Sequence, residues 1–191
     1  MRGPGFLEQL DRHLPGAVVA SRLDALDPWI EVAADRLREV CAWLKGSGLK
    51  GSGPERSGPE RSGDVRFDSL QCITAIDWFE VDPKKAAKTG WEPHTELVYH
   101  LWSTASRVSL VLKVKLPRWK DGVAGQLPEV ASVTGVWRGA NWHEREVYDL
   151  SGVWFAGHPD MRRILCPDDW VGHPLRKDYE MPLEYHGIRG R

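Results

Sequence analysis

Three histidines stand fifteen residues apart, His143, His158 and His173, with Glu144 and Asp178 close to them in sequence. Imidazoles and carboxylates are the ligand set of a catalytic zinc that activates water. The pattern contains no His-x-x-x-His or His-Glu-x-x-His pair, which would set two ligands on one helical face. A metal would need ligands that converge by folding alone. His158-Pro159 and His173-Pro174 read more simply as turn markers. The carboxylates Glu144, Glu146 and Asp149 are general acid or base candidates, a role that requires a pocket able to desolvate one of them and raise its pKa. The sequence shows no sign of such a pocket. Cys166 precedes Pro167 with no histidine beside it, and no Gly-x-Gly-x-x-Gly follows a strand pattern, so thiol catalysis and dinucleotide binding have no support.

The same charges carry a second reading, as pairing groups. Glu144, Arg145, Glu146 and Asp149 are expected near a helix start, where carboxylates complement the dipole and can meet an arginine. Arg162, Arg163, Arg176 and Lys177 supply the cations. Such pairs could fix this chain's own loops or reach across to another protein, and both readings stay open, because exposed pairs contribute only ~0 to 1 kcal/mol.

Composition narrows the classes. The chain has 191 residues, with 26 Lys plus Arg against 27 Asp plus Glu, so no global charge drives it onto nucleic acid or anionic lipid. The length suits one core with an appendage. Cys41, Cys72 and Cys166 are too few and too scattered for a disulfide framework or a Cys-x-x-Cys metal site and read as reduced packing residues. No stretch approaches the ~18 apolar residues of a membrane span, and no basic segment leads into an apolar run at the start. A cytoplasmic protein that meets membranes only through partners is expected. The ten tryptophans suit a core and an interface equally.

The elements that must position these groups are read from periodicity. Phe6, Leu7, Leu10 and Leu14 predict a short helix ended by Pro15-Gly16, and residues 17–20 a brief strand. Asp27 and Pro28 are placed to start a longer helix whose buried face carries Trp29, Val32, Ala33, Leu37, Val40, Cys41 and Leu44. Residues 46–63, with Ser-Gly-Pro-Glu-Arg occurring twice, are expected to form a mobile surface insertion. Strands are predicted at about 70–79, 96–102 and 107–116. The third turns Val108, Leu110, Leu112, Val114 and Leu116 inward and a basic face outward, in a hairpin with the second. Helix is expected again over 129–149, broken near Gly139 and closed by Gly152. This order argues for an α+β fold with a mixed, mainly antiparallel sheet packed by helices.

The last forty residues interleave charge, proline and large apolar side chains without a period. Irregular stretches beyond ~12 to 15 residues are normally functional or disordered. Trp154, Phe155, Met161, Ile164, Leu165, Trp170, Val171 and Leu175 are too hydrophobic for a solvated tail, so an extended arm over residues 156–191, following a domain at 1–155, is expected to lie on another protein.

Three runs closely resemble the signature of the 30-kilodalton subunit family of respiratory complex I: Asn141-Trp142-His143-Glu144-Arg145-Glu146-Val147-Tyr148-Asp149-Leu150-Ser151-Gly152-Val153, then 157–165 (GHPDMRRIL), then 168–179 (DDWVGHPLRKDY). Ser151 and Met161 depart from the usual bulky apolar residue and leucine. The resemblance implies a cofactor-free scaffold of the peripheral arm of an NADH:quinone oxidoreductase, with flavin mononucleotide and iron-sulfur clusters held by partners. It implies contact with the 49-kilodalton-type (D-type) quinone-site subunit and with the B-type and I-type subunits, on the cytoplasmic side of the membrane. The equivalent component of an energy-converting membrane-bound hydrogenase or a formate-linked complex is the alternative. The matching positions Glu144, Arg145, Glu146, Asp149, His158, Arg162, Arg163, Asp169, Trp170, His173, Arg176, Lys177 and Asp178 are the expected interface. Replacing Arg176 and Lys177 with Ala is expected to lower assembly more than stability, and Trp170→Ala likewise.

Overall fold

The computed structural model describes residues 4–46 and 65–190. The expected insertion at 46–63 therefore falls almost wholly outside the described residues. Helix α1 (Pro4–His13) leads into strands β1 (Val18–Arg22) and β2 (Trp29–Val32), then helix α2 (Leu37–Lys45). Strand β3 (Ser69–Trp78), helix α3 (Pro83–Thr89), and strands β4 (His94–Ser103) and β5 (Val108–Pro117) follow. The five strands form one sheet in the order β1-β2-β5-β4-β3, antiparallel except where β2 runs parallel to β5.

Period-two patterning explains the register. Ile73, Tyr99, Leu112 and Ile30 sit opposite one another across four strands and are all buried, as are Leu97 with Val114 and Leu101 with Leu110. Leu37, Val40, Cys41 and Leu44 of α2 join that cluster. Gly46 ends α2 in the left-handed conformation. On the other face of the sheet the polar residues pair among themselves, Lys113 with Glu96 at 2.9 Å and Lys115 with Glu31 at 3.2 Å.

Two expectations of helix are corrected. The run from Trp29 to Val32 is a strand, because alternation buries Ile30 and Val32 while the backbone bonds to β1 and β5; a helix would leave those ladders unpaired. Helix proper begins only at Leu37, after a 3-10 turn at Ala34–Arg36. Likewise residues 129–139 are not helical. Strand β6 (Glu129–Ala131) pairs in parallel with β7 (Trp154–Ala156), and turns carry the chain to helix α4 (Ala140–Ser151), which packs against β3. Gly139 does stand at the boundary, as the residue preceding α4, and Gly152 (φ 70°) closes it. Trp137 locks the turns to the core, buried and donating from Nε1 to the Phe67 carbonyl at 3.1 Å. From Gly157 onward the chain is irregular until a short hairpin of β8 (Glu184–Tyr185) and β9 (Ile188–Arg189).

Candidate functional site

Helix α4 and the arm meet around one carboxylate. Asp149 lies in the last turn of α4 and is fully buried. Its Oδ2 accepts three successive backbone N–H groups, from Ile164 (3.0 Å), Leu165 (2.7 Å) and Cys166 (2.9 Å), while Oδ1 accepts Arg163 Nη1 at 2.6 Å. Burial pushes this carboxyl up, but the backbone donors and Arg163 outweigh burial and hold it at about 2. Arg163 continues the knot, its Nη2 donating to the carbonyls of Trp170 (3.0 Å) and Gly172 (2.9 Å). His173 Nδ1 lies 3.0 Å from the Asp149 carbonyl, and its ring presses on Gly152, where an added Cβ would come within 2.6 Å of Cδ2. Glycine suits both the left-handed backbone and the close approach of the ring. The expectation that these carboxylates sit near a helix start is thus corrected for Asp149, which occupies the opposite end and is compensated by four donors instead of the dipole.

A second clamp ties the arm to the sheet. Arg118, just past β5, makes a two-pronged bond to Asp77 (Nε to Oδ1 2.6 Å, Nη2 to Oδ2 2.8 Å) and reaches Asp178 at 2.7 Å. Its guanidinium stacks 3.9 Å from the Phe79 ring. Arg176 is buried, lies 3.6 Å over Trp119 and donates to the Arg118 carbonyl at 2.8 Å. The Lys177 amide donates to Asp77 Oδ2 at 2.9 Å, whereas its side chain is exposed. Sequence reasoning did not single out Asp77, Arg118 or Trp119. Asp77 was visible only as one polar position in a strand, and its partner lies 41 residues away.

Glu144 is buried behind the turn that precedes α4, accepting from Ser132 Oγ and from the Val133 amide, each at 2.7 Å. Burial raises this carboxyl to about 7 against the pull of those two donors. Here is a desolvated carboxylate that no local pattern announced, but the Ser132 hydroxyl stands between it and the nearest groove. Arg145 is buried too, bonding the carbonyls of Arg162 (3.1 Å) and Arg163 (3.2 Å). His158 Nε2 meets the Asn141 carbonyl at 3.1 Å, and Arg162 pairs with Asp160 at 3.0 Å. Among the described residues no three His, Cys, Asp or Glu side chains converge in a metal-ligating group. His158 and His173 each bond a carbonyl of α4 instead.

Further along, Asp169 takes the Tyr185 hydroxyl (2.8 Å) and His186 Nε2 (2.6 Å), and Trp170 packs 5.1 Å from the Tyr185 ring. This folds the terminal hairpin back on the arm. Of the matched positions, Glu146, Arg162, Asp169, Lys177 and Asp178 are exposed; Asp149, Arg145, Glu144 and Arg176 are spent inside the chain. Beside these charges the arm turns six large apolar side chains outward: Leu165, Val171, Leu175, Met181, Leu183 and Ile188 are 61% to 85% exposed. No helix among the described residues is long and apolar enough to cross a membrane.

Comparison with known proteins adds the context. A family model described as "Respiratory-chain NADH dehydrogenase, 30 Kd subunit" matches residues 30–185. The C-type subunit of the NADH-quinone oxidoreductase of Roseiflexus sp. (strain RS-1) is 38% identical over 178 residues, 93% of this chain and 84% of that protein. The C/D-type subunit of the NADH-quinone oxidoreductase of Phocaeicola vulgatus is 40% identical over 116 residues, 61% of this chain and 19% of that longer protein. Among solved structures, a chain of the membrane-bound sulfane sulfur reductase, an archaeal respiratory membrane complex, superposes with a TM-score of 0.66 at 25% identity, covering 95% of this chain and 87% of that one.

Proposed function

This chain belongs to the 30 Kd subunit family of the respiratory-chain NADH dehydrogenase, and on that premise we propose that it is the structural, C-type component of a proton-translocating NADH:quinone oxidoreductase. It belongs to an oxidoreductase assembly without performing the chemistry. In this reading it holds the electron-carrying and quinone-site subunits in register within the peripheral arm, on the cytoplasmic side of the membrane. Flavin mononucleotide, iron-sulfur clusters, NADH and quinone bind partner subunits. The residues described above pin backbone; none pairs an activated nucleophile with an open cleft.

The observation that carries this reading is the contrast along the arm. Its backbone is held by two buried charge knots, at Asp149 and at Arg118, while six large apolar side chains are held outward. A rigid backbone displaying apolar groups suits a permanent interface better than a free surface. The partner for that surface is the D-type, quinone-site subunit, since a relative carries the names C and D in a single chain. The B-type and I-type subunits are the further neighbours in this proposal.

A second reading rests on the sulfane sulfur reductase likeness: the same scaffold in a related membrane complex that draws electrons from another donor. Tagged full-length protein purified from its native membranes in mild detergent separates the two. Co-purification of a flavoprotein and a D-type subunit, with NADH:quinone activity, is the expected result. A hydrogenase-like or sulfur-reducing set without an NADH-oxidising subunit would establish the second reading, and recovery of this chain alone would overturn both.

A further inference from the structure

The β6–α4 turn, the start of α2 and the beginning of the arm enclose an open groove of about 540 Å³, within the size range of binding sites. Arg38 comes from α2, Arg138 and Thr134 from the turn, Asn141 and Trp142 from the first turn of α4. Its far wall, at Gly157 and Pro159, is fixed by the bond between His158 and the Asn141 carbonyl. The shape is therefore built by the fold and does not depend on a loose loop.

The electrostatics of the groove are one-sided. Arg38 and Arg138 are both exposed, and among the described residues neither forms an ion pair or a side-chain hydrogen bond. Among the described residues no carboxylate lines the groove. Three nearby acids are occupied: Glu39 pairs with Arg36 at 2.8 Å, Asp160 with Arg162 at 3.0 Å, and Glu144 lies buried behind Ser132, while Asp35, three residues before Arg38, is exposed. The first turn of α4 carries no acidic residue, so its dipole adds to the same sign. Elsewhere in the arm region, arginines are spent on partners within the chain, which sets these two apart. Beside them the Trp142 ring is 64% exposed, flanked by the Arg145 guanidinium 5.3 Å from its centroid. Arginine and tryptophan together are the residues that most often anchor protein interfaces, and a two-armed guanidinium recognises a carboxylate with fixed geometry.

We infer that this groove is a second docking site, separate from the apolar surface of the arm, and that it takes an acidic segment of a neighbouring subunit, with carboxylates on Arg38 and Arg138 and an apolar side chain against Trp142. The inference rests on the proposal that the chain works inside a multisubunit complex.

The test uses the full chain in its native membranes. Arg38→Glu with Arg138→Glu is expected to lower recovery of partner subunits by about tenfold or more, as reversal of a complementary charge pair does, with the melting temperature of the purified chain unchanged. Arg107→Glu, an exposed arginine of the β4–β5 link that does not line the groove, is the control and should assemble normally. In parallel, Arg38→Lys and Arg138→Lys supply amines for carbodiimide coupling; the expected product joins the substituted position to an Asp or Glu of another subunit. Normal assembly of the charge-reversed chain, or coupling only to a carboxylate of this chain, overturns the inference while leaving the proposed function intact. Failure of the unaltered chain to recover any partner overturns both.

Discussion

Asp149 and Glu144 share one helix and one degree of burial, and their environments push them in opposite directions. Asp149 is held at about 2, below its ordinary 3.8, so the unfolded chain takes up its proton first. That contribution is present above about pH 4 and fades as pH falls toward 2, a loss of about 2 kcal/mol. Asp149→Asn removes it at every pH and strands Arg163 without its charge partner. Breaking a buried pair in this way costs about 3 to 5 kcal/mol, and urea unfolding at pH 7 should show a loss of that size; a change under about 1 kcal/mol would mean the backbone donors alone hold the knot. Glu144 has the reverse sign. Its folded value of about 7 exceeds the ordinary 4.5, so between those values the folded protein keeps a proton that the unfolded chain releases. Stability should be full below pH 4.5 and decline as pH rises through 7, by about 3 kcal/mol as a ceiling. Glu144→Gln should flatten that decline and overtake the unaltered chain at pH 8; parallel stability curves for the two proteins would show Glu144 to be ionised in the fold. The identities of these acids could be read from sequence, but their states could not. State depends on Ser132, Val133 and residues 163–166, which meet these carboxylates only in the folded chain.

At the scale of elements, what was legible followed from local pattern. The β4–β5 hairpin and the buried face of α2 over Leu37, Val40, Cys41 and Leu44 depend on short-range periodicity, and both formed as that periodicity indicates. The misread segments are those where long-range pairing overrides local pattern. Trp29–Val32 looks helical beside Pro28 but pairs with a strand about 80 residues later, and Glu129–Ala131 pairs with Trp154–Ala156. Arg176 and Lys177 are adjacent cations in sequence, and the structure divides them. Arg176 is buried against Trp119, while the Lys177 side chain is free in solvent. Arg176→Ala should therefore lower stability by a few kcal/mol through lost packing and orphaned carbonyls, and Lys177→Ala by less than about 0.5 kcal/mol; thermal unfolding of the two single variants checks the split. The α4 C-terminus is equally specific. Gly152→Ala combines a left-handed backbone with a contact of 2.6 Å to the His173 ring, so the arm must shift to accept one methyl group. Limited proteolysis should then cut the arm near residues 166–175 faster than in the unaltered chain, with the sheet still intact. Cleavage at the old rate would mean that His173 simply turns aside.

For the whole molecule, the division between what is knotted and what is displayed sets the expected behaviour. Several charges of the matched runs are consumed in holding the arm's shape, and what stays exposed includes six large apolar side chains on the arm and two arginines at the Arg38 groove. Val171 and Leu183 test the arm because they are the most exposed of its large side chains, at 85% and 83%, and neither is part of a knot. In the isolated chain, replacing both with Ser removes almost no buried area, so stability should stay within about 0.5 kcal/mol. On the proposed interface the same side chains would be desolvated, where each large aliphatic group contributes roughly 1.5 to 3 kcal/mol by burial. The double variant should thus fold with an unchanged melting temperature and yet recover far less of the D-type partner from membranes. If it unfolds early, these residues pack within the chain after all. If it folds and assembles at the normal level, the apolar display lies off the interface, and the case for the arm as an assembly surface would have to pass to the residues that surround Trp170.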